Sequence, residues 1–159
     1  MRNILILFTI LTTELLMAQT HMVTKHNGDI MNINIIKTKN NLVYFTLPES
    51  SEEKTISQFA ISQVNEKSKN EIKTISEKIS VVGKSDYSKV KVLQESQTNG
   101  LKEAGMITSF LGKTKGDSQQ SFLDQAEIRL KQNAALKGSP FIVIVSNKPR
   151  ELKAKMYTY

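Results

Sequence analysis

The sequence predicts an α+β protein: a small N-terminal antiparallel β-unit followed by a ββαββ domain with one main helix packed on a sheet. Three stretches carry that reading. Residues 21–47 alternate and turn like a β-meander, residues 117–137 repeat apolar side chains at three- and four-residue steps, and an unbroken apolar run, Phe141-Ile-Val-Ile-Val, follows Pro140. Period two marks a half-buried strand, a period near 3.6 an amphipathic helix, and a short continuous apolar run a strand covered on both faces.

The first eighteen residues are a different material. Arg2 gives a basic start, residues 4–17 are nearly all apolar, and Ala18 places a small residue before Gln19. That is the composition of a cleavable export signal, too short to act as a membrane-spanning anchor. Leu16 suits the position two before Ala18, while Glu14 interrupts the apolar run. We expect residues 1–18 to be removed and the protein to be exported, periplasmic or secreted after cleavage near Ala18. Cysteine is absent, which closes both the lipoprotein route and disulfide formation, so stability must come from packing alone.

In the N-terminal unit, residues 19–82, Asn27-Gly28 reads as a type I′ hairpin turn. Ile30, Ile33, Ile35 and Ile36 supply the second strand, Asn40-Asn41 a second turn, and residues 42–47 a third strand. After a polar, acidic loop over 48–54, Ile56, Phe59, Ile61 and Val64 mark a helical turn and a returning strand that closes the sheet. Residues 65–78 fit a short helix through Ile72, Ile75 and Ile79, and a strand through their β-branched content; we read a strand connecting the two halves, with the boundary at 83–86.

In the C-terminal domain, residues 83–159, Val90 and Val92 alternate with Lys89 and Lys91 in a first strand over 87–95. Asn99-Gly100 turns the chain into a second strand over 104–111. The main helix starts at Asp117 or Ser118, either of which can cap the first turn, with Gln120 placed for a capping box after Asp117. Gly138 suits the left-handed position after the last turn, and Pro140 forbids continuation. Phe122, Leu123, Ala126, Leu130 and Ala134 share one face, and Asn133 in that stripe calls for a backbone partner. Past a turn over 147–151, the last strand is half-exposed, with Lys153, Lys155, Tyr157 and Tyr159 on one face and Leu152, Ala154 and Met156 on the other. Such lysines keep an exposed edge from pairing, or with the tyrosines stack on sugars or bases, or the edge is an oligomer seam.

The formal charge of +7 attracts polyanions. An exported protein meets anionic lipid and acidic glycan before nucleic acid, so we set nucleic acid aside; lysines spread along the chain equally fit a solvated surface. Gly112-Lys113-Thr114 before a helix invites a phosphate-loop reading, but Gly105 stands seven residues back where that loop needs five. What survives is a helix start at which Lys113 and Lys115 could hold an anion, unless Asp117 takes the place. His26 and Asp29 flank a turn closely enough to share a proton, yet no Gly-x-Ser-x-Gly elbow accompanies them, which leaves a His26 hydrolase as the enzymatic alternative. His21 and His26 have the wrong spacing for one helical face, so no metal or cofactor is expected. The candidate anion or partner contacts are therefore Lys113, Lys115, Lys153, Lys155, Tyr157 and Tyr159.

Gly100-Leu101, Gly105, Gly112, then Leu123, Ala126, Leu130, Ala134-Ala135, Gly138 and the Phe141 strand form a pattern over residues 86–159. It resembles a superfamily of small bacterial envelope domains that includes the YbjQ type and the core of the Rcs envelope-stress sensor lipoprotein. The front half is similar to Asn-Gly-Asp-Ile β-repeats of exported Bacteroidetes proteins. The resemblance implies a non-enzymatic envelope or interaction module, often self-associating, with an envelope protein or a second copy as partner. The sensor's disulfides and lipid anchor do not carry over to a chain without cysteine, and the metal binding attached to the YbjQ type finds no ligands, since both histidines lie outside the matching region.

Overall fold

The computed structural model describes residues 20–66, 71–109, 118–148 and 151–159, and over these the chain is α+β. The expected export signal, residues 1–18, and the expected Asp117 cap lie outside the described residues.

Six antiparallel strands form the first sheet: β1 Thr20–Lys25, β2 Ile30–Lys39, β3 Leu42–Thr46, β4 Lys54–Ser57, β5 Ile61–Glu66 and β6 Glu71–Thr74, in the order β4-β3-β2-β1-β5-β6. Turn chemistry fixes the register, but not where the sequence places it. Asn40 and Asn41 have φ of 53° and 60° and join Lys39 to the facing Leu42, so the two-residue type I′ loop lies here. At the expected site, Gly28 has φ +94° but Asn27 does not, and the loop is one residue longer: Gly28 N donates to Lys25 O at 3.1 Å and Lys25 N to Asp29 O at 2.9 Å. An Asn pair can replace Asn-Gly because the short amide tolerates the left-handed region. One sheet face buries Val23, Ile33, Val43, Phe45, Ile56, Ile61 and Val64 in a common core. The ambiguous stretch after residue 65 contributes β6, an edge strand on β5.

The second sheet contains β7 Lys91–Val92, β8 Lys102–Ser109, β9 Phe141–Lys148 and β10 Glu151–Thr158, in the order β7-β9-β10-β8. The strand expected over 87–95 shrinks to β7, which runs parallel to β9; Lys84–Lys89 and Glu95–Thr98 are 3₁₀ helices instead. Local side-chain bonds outcompete the ladder there. The Asp86 carboxylate accepts from Val82 N at 3.0 Å and pairs with Lys89 at 2.7 Å, and Gln94 and Gln97 bond reciprocally to each other's backbone. A second correction concerns the last strand. β10 lies between β9 and β8, paired on both sides, so it is neither a guarded edge nor an edge-to-edge seam. Alternation reports which side chains share a face and is silent on whether a strand has one neighbour or two.

Helix α1, Gln119–Leu136, is capped by Ser118, whose Oγ accepts from Ser121 N at 3.1 Å, while the Gln120 amide turns to Asp124 at 2.8 Å. It ends as the sequence reads: Gly138 has φ +71°, its N–H reaches Ala135 O at 3.0 Å, and Ser139 N reaches Ala134 O at 2.9 Å. Ala126, Leu130, Ala134 and Ala135 pack on Ile107, Ile142, Leu152, Ala154 and Met156 of the sheet. Three alanines at this contact let the helix approach the strands closely. Asn133, half-buried, donates to the Thr108 carbonyl at 3.4 Å, the backbone partner its place in the stripe calls for.

The opposite face of the second sheet is covered by side chains from both halves. Phe141, Val143, Tyr157 and Leu93 cluster there with Phe59, Leu101 and Tyr159. Backbone bonds reinforce the junction: Ser57 N donates to Asn99 O at 2.7 Å, and the Asn99 amide to Thr55 Oγ1 at 2.6 Å.

Candidate functional site

The aromatic cluster is the floor of the site. Phe141 is fully buried, with Phe59 at 5.6 Å and Tyr159 edge-on at 5.3 Å between ring centroids. The His26 ring meets the Tyr159 ring at 4.7 Å. Tyr159 Oη accepts from Ile79 N at 2.8 Å, which ties the segment after β6 to the end of the chain. Burial raises the Tyr159 phenol above its usual range, against the opposing pull of the Ile79 amide.

Above this floor an open groove of about 510 Å³ is lined by Glu77, Lys78, Ile79, Ser80, Ser88, Lys89 and Lys91. The rings below hold two of its cations in place. Lys78 Nζ stands 5.7 Å from the Tyr159 ring centroid and Lys91 Nζ 5.6 Å from that of Phe59. Lys78 also reaches His26 O at 3.5 Å, and Lys89 pairs with Asp86 at 2.7 Å. Lys78, Lys91 and two hydroxyls offer hydrogen-bond donors to a phosphate, sulfate or carboxylate, while Lys89 is already held by Asp86 and Glu77 is the carboxylate of the lining among the described residues.

His26 does not pair with Asp29. Asp29 is held by Asn27 Nδ2 at 2.9 Å and Lys25 Nζ at 3.2 Å, bonds that lower its carboxyl below the usual value, the Asn27 contribution first. His26 Nε2 instead lies 2.9 Å from Ser76 Oγ, whose proton goes to Ile61 O at 2.7 Å. The imidazole N–H therefore donates and the hydroxyl accepts, the reverse of the order by which a histidine activates a serine. Burial, then the nearby Lys78 charge, lower the His26 pKa below 6.5, with a hydrogen bond to the Ser76 backbone opposing. Among the described residues, no three His, Asp or Glu side chains converge as metal ligands, and no helix is long and apolar enough to cross a membrane.

The six contacts named from sequence do not form one site. Lys113 and Lys115 lie outside the described residues. Lys153 and Lys155 are half-buried on β10, and Lys155 sits between Glu95 at 3.4 Å and Glu103 at 3.6 Å. Those carboxylates, the Glu95 hydrogen bond first, raise its pKa and neutralise its charge locally. Tyr157 is only 5% exposed and packs in the aromatic cluster, so it cannot stack on a sugar or base. Of the four that are described, Tyr159 alone comes near the groove, through its ring under the Lys78 ammonium group. Lys78, Lys89 and Lys91 were missed because they read as spread surface charge; the available signal was the recurrence of serine and lysine through residues 76–91.

No known protein family, curated protein or solved structure matches the chain.

Proposed function

We propose that the chain is an exported, non-catalytic binding or scaffold module of the bacterial envelope, which holds an anionic group of envelope lipid or acidic glycan in the groove between its halves. The observation that carries this reading is the convergence of Lys78, Lys89 and Lys91 with Ser80 and Ser88 in one groove of a +7 chain. The export signal read at residues 1–18 supports the location. The likeness of residues 86–159 to small envelope domains, which rests on the spacing of glycines and apolar residues, adds to this reading. The reversed proton order at His26 and Ser76 favours a structural role for that pair over hydrolysis.

The test is co-sedimentation of the chain lacking residues 1–18 with phosphatidylglycerol vesicles, and in parallel with alginate, at low and moderate salt. Replacing Lys78, Lys89 and Lys91 together by glutamate abolishes the association, while the same change at Lys39, Lys73 and Lys102 leaves most of it. Vesicles alone responding identifies a lipid, alginate alone a glycan. No salt-sensitive association with either, or equal loss in both triple variants, refutes the reading.

A further inference from the structure

Sheet edges offer unpaired backbone groups to any passing strand, and proteins blunt them by shortness, charge or cover. Three of the four edges here are blunted. β4 is covered by Asn99, which bonds both its backbone and Thr55; β7 is two residues long; and β6 is four residues, two of them Glu71 and Lys73. The fourth, β8, has eight residues, and after Lys102 and Glu103 none is charged: Ala104-Gly105-Met106-Ile107-Thr108-Ser109. A bulge beside Gly105, at φ +105°, bends its first half away and leaves residues 106–109 as a regular edge.

A groove runs beside this edge. Two hollows of about 280 and 350 Å³ share Thr108 and Asn133 and extend between β8 and one side of α1. Met106 and Leu136, 53% and 58% exposed, give one end an apolar wall. Lys137 stands at that end and Lys84 at the other, neither in an ion pair among the described residues, and Arg129 adds a third positive charge. Among the described residues no carboxylate lines either hollow. At the far end Ser109 is 4% exposed, and among the described residues its hydroxyl finds no hydrogen-bond partner, which is uncommon for a buried polar group. The Asn133 bond across the groove, 3.4 Å to Thr108 O, is long enough to yield to a better donor.

We infer that this groove takes an extended acidic peptide segment of a partner protein, which adds to β8 as a further strand of the second sheet. Main-chain bonds along the edge supply affinity, and alternate side chains divide between the apolar wall and the lysines. The site is separate from the groove lined by Lys78, Lys89 and Lys91 and does not depend on what that groove binds.

The probe is a fluorescein-labelled peptide of alternating valine and glutamate, followed by anisotropy and by amide shifts of the labelled full chain. Saturable binding is expected, with the largest shifts in β8 and α1. It weakens by about tenfold or more when alternate peptide nitrogens are methylated, which removes the strand-pairing donors but no charge. A similar loss is expected for the exposed double variant Lys84→Glu, Lys137→Glu, with its circular dichroism unchanged. Overturning results are no saturable binding, equal binding of the methylated peptide, shifts confined to other surfaces, or a stable dimer that already occupies β8.

Discussion

The six-stranded sheet buries Val23, Ile33 and Val43 on one face and turns Asn32 and Gln63 to solvent on the other, whereas the four-stranded sheet is covered on both. Its covers have different origins. The helix that follows β8 supplies one, and Phe59, from a 3₁₀ turn of the N-terminal half, contributes to the other. A sheet apolar on both faces needs a cover on each, and here part of the second cover comes from the N-terminal half. The second sheet should therefore depend on the first more than the first depends on α1.

Phe141→Ala breaks that dependence most directly. Removing a fully buried ring at the centre of the shared cluster should cost about 3–5 kcal/mol, read from urea unfolding. Circular dichroism and amide exchange in both sheets should shift together; protection lost in the second sheet alone would show that the halves melt separately. Gly100→Ala probes the same junction from the other side. Gly100 has φ +86°, and an added Cβ would meet Ile56 Cγ1 at 2.7 Å, so about 1–3 kcal/mol should be lost, with the Ile56 amides among the first to exchange. A variant as stable as the parent would mean the junction yields without strain.

The smallest effect is that of pH. The folded-state pKa of His26 is depressed below 6.5, so between the folded and unfolded values the unfolded chain binds more protons. Stability is then full above the ordinary imidazole range and falls as pH drops through the lowered value. The urea midpoint should fall between pH 7.5 and about 5, and His26→Ala should flatten that part of the profile. An unchanged slope in the variant would assign the pH dependence to the carboxylates instead.

Much of the fold was legible because its signals are local. Gly138 and Pro140 end the helix where their backbone chemistry requires, and Phe122, Ala126, Leu130 and Ala134 fall inward as their spacing dictates. The position of β10 was hidden, since strand order is decided by chain segments far apart. Residues 87–95 misled for a different reason: Val90 and Val92 alternate like a strand, but Asp86 and Gln97 capture nearby amides and tighten the backbone into 3₁₀ turns. The groove lysines were illegible as a group, because Phe141, in contact with both Phe59 and Tyr159, is what brings the rings under Lys91 and Lys78 together.

β7 joins its sheet in parallel with β9, through Lys91 N to Pro140 O at 2.9 Å and Leu93 N to Ile142 O at 2.8 Å. Nothing earlier in the chain can substitute for that partner. On a ribosome the first sheet can assemble while the rest is still being made, but the second has no centre until its final two strands emerge. Late closure of this kind slows folding and keeps the second half of the growing polypeptide open until the chain is nearly finished.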